Sequence, residues 1–110
     1  MAALLPELRR LLSPVHFIPA FPHDQRLPRN ERTLPTTRGP RPYNHNMHWI
    51  SPASMTGLPA TSAPIGQTAS GLPVGIQIIG PYDEDGTPID LAKKLGEVLG
   101  GFTPPPAYLD

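Results

Sequence analysis

The chain contains no cysteine among its 110 residues, so neither a disulfide framework nor thiol chemistry is open to it. Lysine is almost missing as well: Lys93 and Lys94 are the only two, adjacent and close to the C-terminus. No stretch approaches the roughly 20 consecutive apolar residues of a membrane span. Charged residues make up only 16% of the chain, too few for disorder driven by self-repulsion. Aromatic residues stand at 6%, thin for a protein that stacks single-stranded bases. The formal net charge is zero but uneven. Residues 1–50 hold seven arginines against Glu7, Asp24 and Glu31, and residues 51–110 hold the two lysines against six acids. Arg26, Arg29, Arg32, Arg38 and Arg41 are spread among prolines, threonines and a glycine, not stacked on a helix, so no nucleic-acid partner is expected. Arg9 and Arg10 follow the apolar run Ala2–Leu5, the reverse of a secretory leader. The expectation is a soluble cytoplasmic protein with no membrane partner.

Proline and glycine are what the chain has in excess. Seventeen prolines and ten glycines bring it near the level at which irregular structure takes over, about a quarter of all residues. Prolines at 14, 19, 22, 28, 35, 40 and 42 forbid a helix longer than about two turns between Ser13 and Pro42. A loop of that length either is disordered or wraps another surface and shapes a binding site. With 38% hydrophobic residues, the whole is easier to understand as a piece lying on a larger protein.

Two copies of one decapeptide pattern sit beyond that loop. Gly57-Leu58-Pro59-Ala60-Thr61-Ser62-Ala63-Pro64-Ile65-Gly66 is followed by Gly71-Leu72-Pro73-Val74-Gly75-Ile76-Gln77-Ile78-Ile79-Gly80. Each proline fixes φ and pushes the residue before it towards extended geometry. The run after Pro73 reads as a buried strand, and Gln67 to Ser70 form a polar connector of hairpin length. A β-hairpin over 60–79 is expected. A second expectation is a helix over 88–99, with Thr87 as N-cap, Pro88 at its first position and Asp90 reaching back as a capping-box acid. Ile89, Ala92, Leu95 and Leu99 recur at helical spacing, Leu91 and Val98 widen the stripe, and Gly100 supplies a left-handed stop. Tyr43 to Met55 suggests a helix capped by Asn44 and broken at Ser51-Pro52. Residues 6–12 read locally as a short helix, against a strand at 11–15, and Thr103 to Pro106 as polyproline.

The decapeptide pair, with the Gly80-Pro81-Tyr82-Asp83-Glu84-Asp85 that follows, resembles the C-terminal region of the amidase signature family. Upstream, Pro14-Val15 and Pro19-Ala20-Phe21-Pro22-His23-Asp24 resemble that family's proline-rich segment, and Arg41-Pro42-Tyr43 and Trp49 fit the stretch before the Gly-Leu-Pro turn. Downstream, Gly101-Phe102-Thr103-Pro104-Pro105-Pro106 resembles its closing sequence. The likeness runs over about residues 14–106 and makes Leu11 to Val15 the end of a buried strand. It implies an α/β fold: the C-terminal portion of a mixed sheet flanked by helices, with a hairpin, a C-terminal helix and a long Pro-rich irregular segment. Residues 1–110 would then be a partial amidase domain, with 1–50 the N-terminal segment and loop, and 51–110 the hairpin, helix and tail.

The same resemblance implies hydrolysis of a carboxylic amide through a Ser-Ser-Lys triad, with backbone N–H groups of a Gly/Ser-rich segment as oxyanion hole. In the family that machinery precedes the C-terminal region, and no Gly-Gly-Ser-Ser run occurs here. The chain is expected to carry no catalytic residue and to be silent alone. Its partners would be a small-molecule amide substrate in the full-length enzyme and the missing N-terminal part. The alternative is a non-catalytic partner, complementing a separate amidase piece or recruiting proteins through its Pro-rich segment. No cofactor and no metal are expected.

Other residues invite a site and are better explained otherwise. His45 and His48, three apart, are two ligands where zinc needs three or four. His23 and Asp24 are adjacent, so their side chains diverge, and a loop-fixing hydrogen bond suits them better than catalysis. Ser51, Ser54, Ser62 and Ser70 lie in no nucleophile motif. Asp83, Glu84 and Asp85 precede a helix N-terminus, whose dipole they complement. Phe21 and Trp49 are the candidates for an apolar wall of a substrate pocket.

Overall fold

The structure is a computed structural model that describes residues 9–108. Within them lie β1 (Leu11–Pro14), β2 (Thr33–Leu34), β3 (Arg41–Pro42), α1 (Ser51–Thr56), β4 (Ala60–Gln67), β5 (Pro73–Ile79) and α2 (Gly86–Leu99). Short 3-10 turns occur at Arg29–Glu31, Tyr43–Met47 and Pro106–Tyr108. The class is mixed α/β. The expected helix over 6–12 falls largely on residues outside the described ones, and from Leu11 onward the chain is a strand.

The hairpin forms where the Gly-Leu-Pro pair places it, and β5 becomes the middle strand of a three-stranded sheet in the order β1-β5-β4. Both pairings are antiparallel, with Leu11 and Ala60 on either side of Ile79, and Ser13 and Ser62 on either side of Gln77. The two Gly-Leu-Pro copies do different work. The first ends α1 and leads into β4, and its Pro59 carbonyl accepts from Gly80 N–H at 2.9 Å. The second finishes the hairpin turn, in which Thr68 N–H donates to Leu72 O at 2.8 Å and Gly71 N–H to Thr68 O at 2.9 Å. The turn is thus 68–72, later than the expected connector, because the register shifts between Pro64 and Gly66 and the bulge lets β4 continue to Gln67.

Side chains alternate across a strand, so Ile78 and Ile79 face opposite sides of the sheet. Both are essentially buried, at 0% and 1% exposure, so both faces are covered. Ile79 packs with Ala53, Leu58 and Leu11, which places α1 and the first Gly-Leu-Pro on its side. The opposite side, carrying Ile78 and Ala63, is left to α2, which packs against β4 and β5. Burial of one such isoleucine contributes about 1.5–3 kcal/mol. Gly80 makes the junction possible: a Cβ there would sit 2.7 Å from Pro88 Cδ, inside contact distance.

Several local expectations need correction. Helix α2 begins at Gly86, not 88, and Thr87 does not cap it. Its hydroxyl donates to Glu84 Oε2 at 3.0 Å, and its N–H to Glu84 O at 3.0 Å. The turn before the helix already supplies the acceptor that a cap would offer. Asp90 does not reach back either; it accepts from Lys94 Nζ one turn on, at 2.7 Å. Gly100 ends the helix as expected, with φ 96° and its N–H on Gly96 O. Of the apolar stripe, Leu91, Ala92 and Leu95 are half-buried, whereas Ile89, Val98 and Leu99 are exposed. The helix expected over 43–55 is interrupted at 48–50, ahead of Ser51-Pro52 and not at it, and its first part is a 3-10 turn without a cap from Asn44. Pro52 opens α1, in the turn where its missing N–H costs nothing. Pro106 enters a 3-10 turn and so falls outside the expected polyproline stretch.

The packing is incomplete for a chain of this size. Its accessible surface is 8201 Å², against about 5,900 Å² for a compact monomer of 11.9 kDa. The radius of gyration is 16.0 Å, against about 13 Å for a compact domain. Among the described residues no helix is long and apolar enough to cross a membrane.

Candidate functional site

The Pro-rich segment closes into a ring instead of trailing away. Thr33 pairs with Pro42 and Leu34 with Arg41, and Tyr43 N–H donates to Arg32 O at 2.9 Å. Two-residue strands suffice because Leu34 is buried beneath them, at 5% exposure. Phe21, from the far side of the loop, meets Tyr43 edge to face, with centroids 6.2 Å apart and planes at 88°. His16 stacks on Phe17 at 4.7 Å and leans towards Phe21 at 5.9 Å, which carries the aromatic contact back to the end of β1.

Between these walls lies a cavity of about 420 Å³, lined by Phe21, Leu34 and Tyr43 and rimmed by Asp24, Arg26 and Arg32. Asp24 fixes the rim. Its Oδ1 accepts from Arg26 N–H at 3.1 Å and Nε at 2.9 Å, and its Oδ2 accepts from Nη2 at 2.6 Å. Those hydrogen bonds from Arg26 hold the carboxyl down at about 2. The loop-fixing role expected of the His23-Asp24 pair therefore falls to Asp24. Arg29 and Arg32 stand over the Tyr43 ring, at 5.9 and 5.8 Å from its centroid.

Phe21 lines this cavity and Trp49 does not, so the structure does not bring the two together there. The Trp49 ring stands edge-on to His48 at 5.4 Å, while its carbonyl turns towards the sheet. That carbonyl leads to a residue that sequence reasoning passed over. Gln77, at 6% exposure, donates from Nε2 to Trp49 O at 2.9 Å and to Ser13 Oγ at 3.0 Å. One side chain thereby ties β5 to β1 and to the turn ahead of α1. A lone amide in Val-Gly-Ile-Gln-Ile-Ile was the available signal.

The remaining candidates do not converge. Ser51 Oγ donates to Met47 O, Ser62 lies in β4, and Ser70 Oγ lies 2.9 Å from Thr68 Oγ1 in the hairpin turn. His45 and His48 are joined through their backbone. Asp83, Glu84 and Asp85 lead into α2. Among the described residues no three His, Asp or Glu side chains lie close enough to hold a metal ion.

Comparison with known proteins bears on this arrangement. The sequence model of the family described as Amidase matches residues 1–88. Over 53 residues, the chain is 45% identical to one subunit of the glutamyl-tRNA(Gln) amidotransferase of Nitrobacter winogradskyi, a span covering 47% of this chain and 11% of that protein. Over 44 residues, it is 50% identical to the subunit of the same name from Prosthecochloris aestuarii, covering 40% and 9%. A Mycobacterium bovis protein named as a putative amidase, AmiA2, is 40% identical over 55 residues, covering 50% and 11%. The chain thus spans about a tenth of the length of the curated relatives it matches.

Proposed function

Because the chain belongs to the amidase family, we propose that it supplies the C-terminal strands, a helix and a loop of a carboxylic-amide hydrolase. The whole enzyme would cleave the C–N bond through an acyl-enzyme on serine, with a second serine and a lysine moving the proton. This chain would build the sheet edge and the loop beside the substrate cleft. The observation that carries the reading is a family match over residues 1–88 on a chain whose own packing is unfinished. Lys94 supports it from another side: it is exposed on α2 and paired with Asp90, an arrangement that suits a helix surface and not a catalytic base.

The test is turnover. Residues 1–110 alone should leave simple aryl and aliphatic amides unhydrolysed. Mixed with an amidase deleted for its C-terminal region, they should restore activity. Hydrolysis by the purified chain alone would overturn the assignment of its chemistry to another part of the enzyme.

A further inference from the structure

We propose that a second helix, contributed by the rest of the amidase polypeptide, packs beside α2 over β1. Its source rests on the reading of the chain as part of a carboxylic-amide hydrolase; the gap that it fills does not. Strand partners in register project to the same side of a sheet. Leu12, Ile78 and Thr61 therefore form one row, and Pro14, Ile76 and Ala63 the next, on the side that α2 covers. Burial is lost towards β1 in both rows. Ile78 is fully buried and Leu12 is 49% exposed, while Ala63 is buried, Ile76 half-buried and Pro14 exposed.

The dimensions of the elements explain the gap. A helix with its side chains is about 10 Å across and strands lie about 4.8 Å apart, so one helix covers about two strands. Helix α2 packs on β4 and β5, and β1 is the third strand of the sheet. Packed helices lie about 8–10 Å apart, which sets a neighbour of α2 over β1. Either flank of α2 can receive it: at about 3.6 residues per turn, Ile89 and Val98 fall on opposite sides of the axis, and both are exposed. Leu12, Pro14 and Ile76 carry no charge, so the newcomer turns an apolar stripe towards them. The exposed area favours a permanent neighbour. It exceeds that of a compact protein of this mass by roughly 2,000 Å², and each member of an obligate complex buries about 1,000–2,500 Å². The chain spans about a tenth of the relatives it matches, so an enzyme of their length has ample polypeptide to supply the helix.

The chain has no cysteine, so Leu12→Cys places a single thiol on the open strip. Its labelling by a maleimide is followed for the chain alone and mixed with a cysteine-free amidase deleted for its C-terminal region. Thr37→Cys, on the exposed 36–39 turn, is the control. In the mixture Leu12→Cys should label at least about tenfold more slowly, and Thr37→Cys at an unchanged rate. Fast labelling of Leu12→Cys while hydrolysis is restored would overturn the helix and leave the amidase reading standing. Protection without restored hydrolysis would support the docked helix alone. Protection that grows with the concentration of the chain by itself would assign the strip to a second copy and overturn the proposal. Neither protection nor restored hydrolysis would overturn the helix and the amidase reading together.

Discussion

Gln77 holds more of this structure together than any other polar side chain described in it. Its amide nitrogen donates to a hydroxyl on β1 and to a carbonyl ahead of α1, from a side chain that is itself buried. Gln77→Leu keeps the volume but strands the Trp49 carbonyl, and should destabilise the fold by about 1–3 kcal/mol, measured by urea unfolding. Asp24 is the opposite case, an exposed group whose behaviour is set chiefly by its hydrogen bonds from Arg26. Its carboxyl is depressed in the folded chain, so the stabilisation it brings is complete above the ordinary aspartate range. It is lost progressively as pH falls from there through about 2. A carboxyl-carbon NMR titration should find the Asp24–Arg26 bridge intact at pH 4, and Arg26→Gln should return the midpoint towards 3.8, the ordinary aspartate value.

At the scale of elements, the junction between β5 and α2 is the most sharply constrained point. Gly80→Ala would drive a methyl into Pro88, and should cost about 1–3 kcal/mol by shifting the helix off the sheet. Thermal unfolding of that variant against Gly66→Ala, a strand glycine with no neighbouring atom within 4 Å of the added methyl, separates the clash from general strand effects. Such elements could be read in advance where their determinants are local. Gly-Leu-Pro, the β-branched run after Pro73 and the Gly100 stop each act within a few residues, and the hairpin and the end of α2 follow from them. Where the determinant lies far off in the chain, reading stopped short. Gln77 meets partners 64 and 28 positions away, and a lone amide does not announce them. The β2–β3 ladder is two residues long and survives through Leu34 burial, which no periodicity records. Phe21 could be singled out as an apolar wall, but its meeting with Tyr43 depends on that ladder closing the loop.

The whole molecule exposes what an isolated domain would bury. Met55, Val98, Phe102 and Tyr82 are each at least 75% exposed, and the total surface exceeds that of a compact protein of this mass by roughly 2,000 Å². The purified chain should therefore melt broadly and bind a hydrophobic dye, and pairing with the rest of an amidase should sharpen the transition. A single cooperative melt of the chain alone would show a finished domain. The outer strands limit how that pairing can occur. Pro14 on β1 lies opposite Ile76, and Pro64 on β4 opposite Gly75, so a proline caps each flank of the sheet at nearly the same height. Proline offers no backbone donor, so a newcomer strand is turned away at that height on either flank. A second copy of the chain approaching either flank therefore finds no continuous row of donors to pair with, which discourages edge-to-edge association.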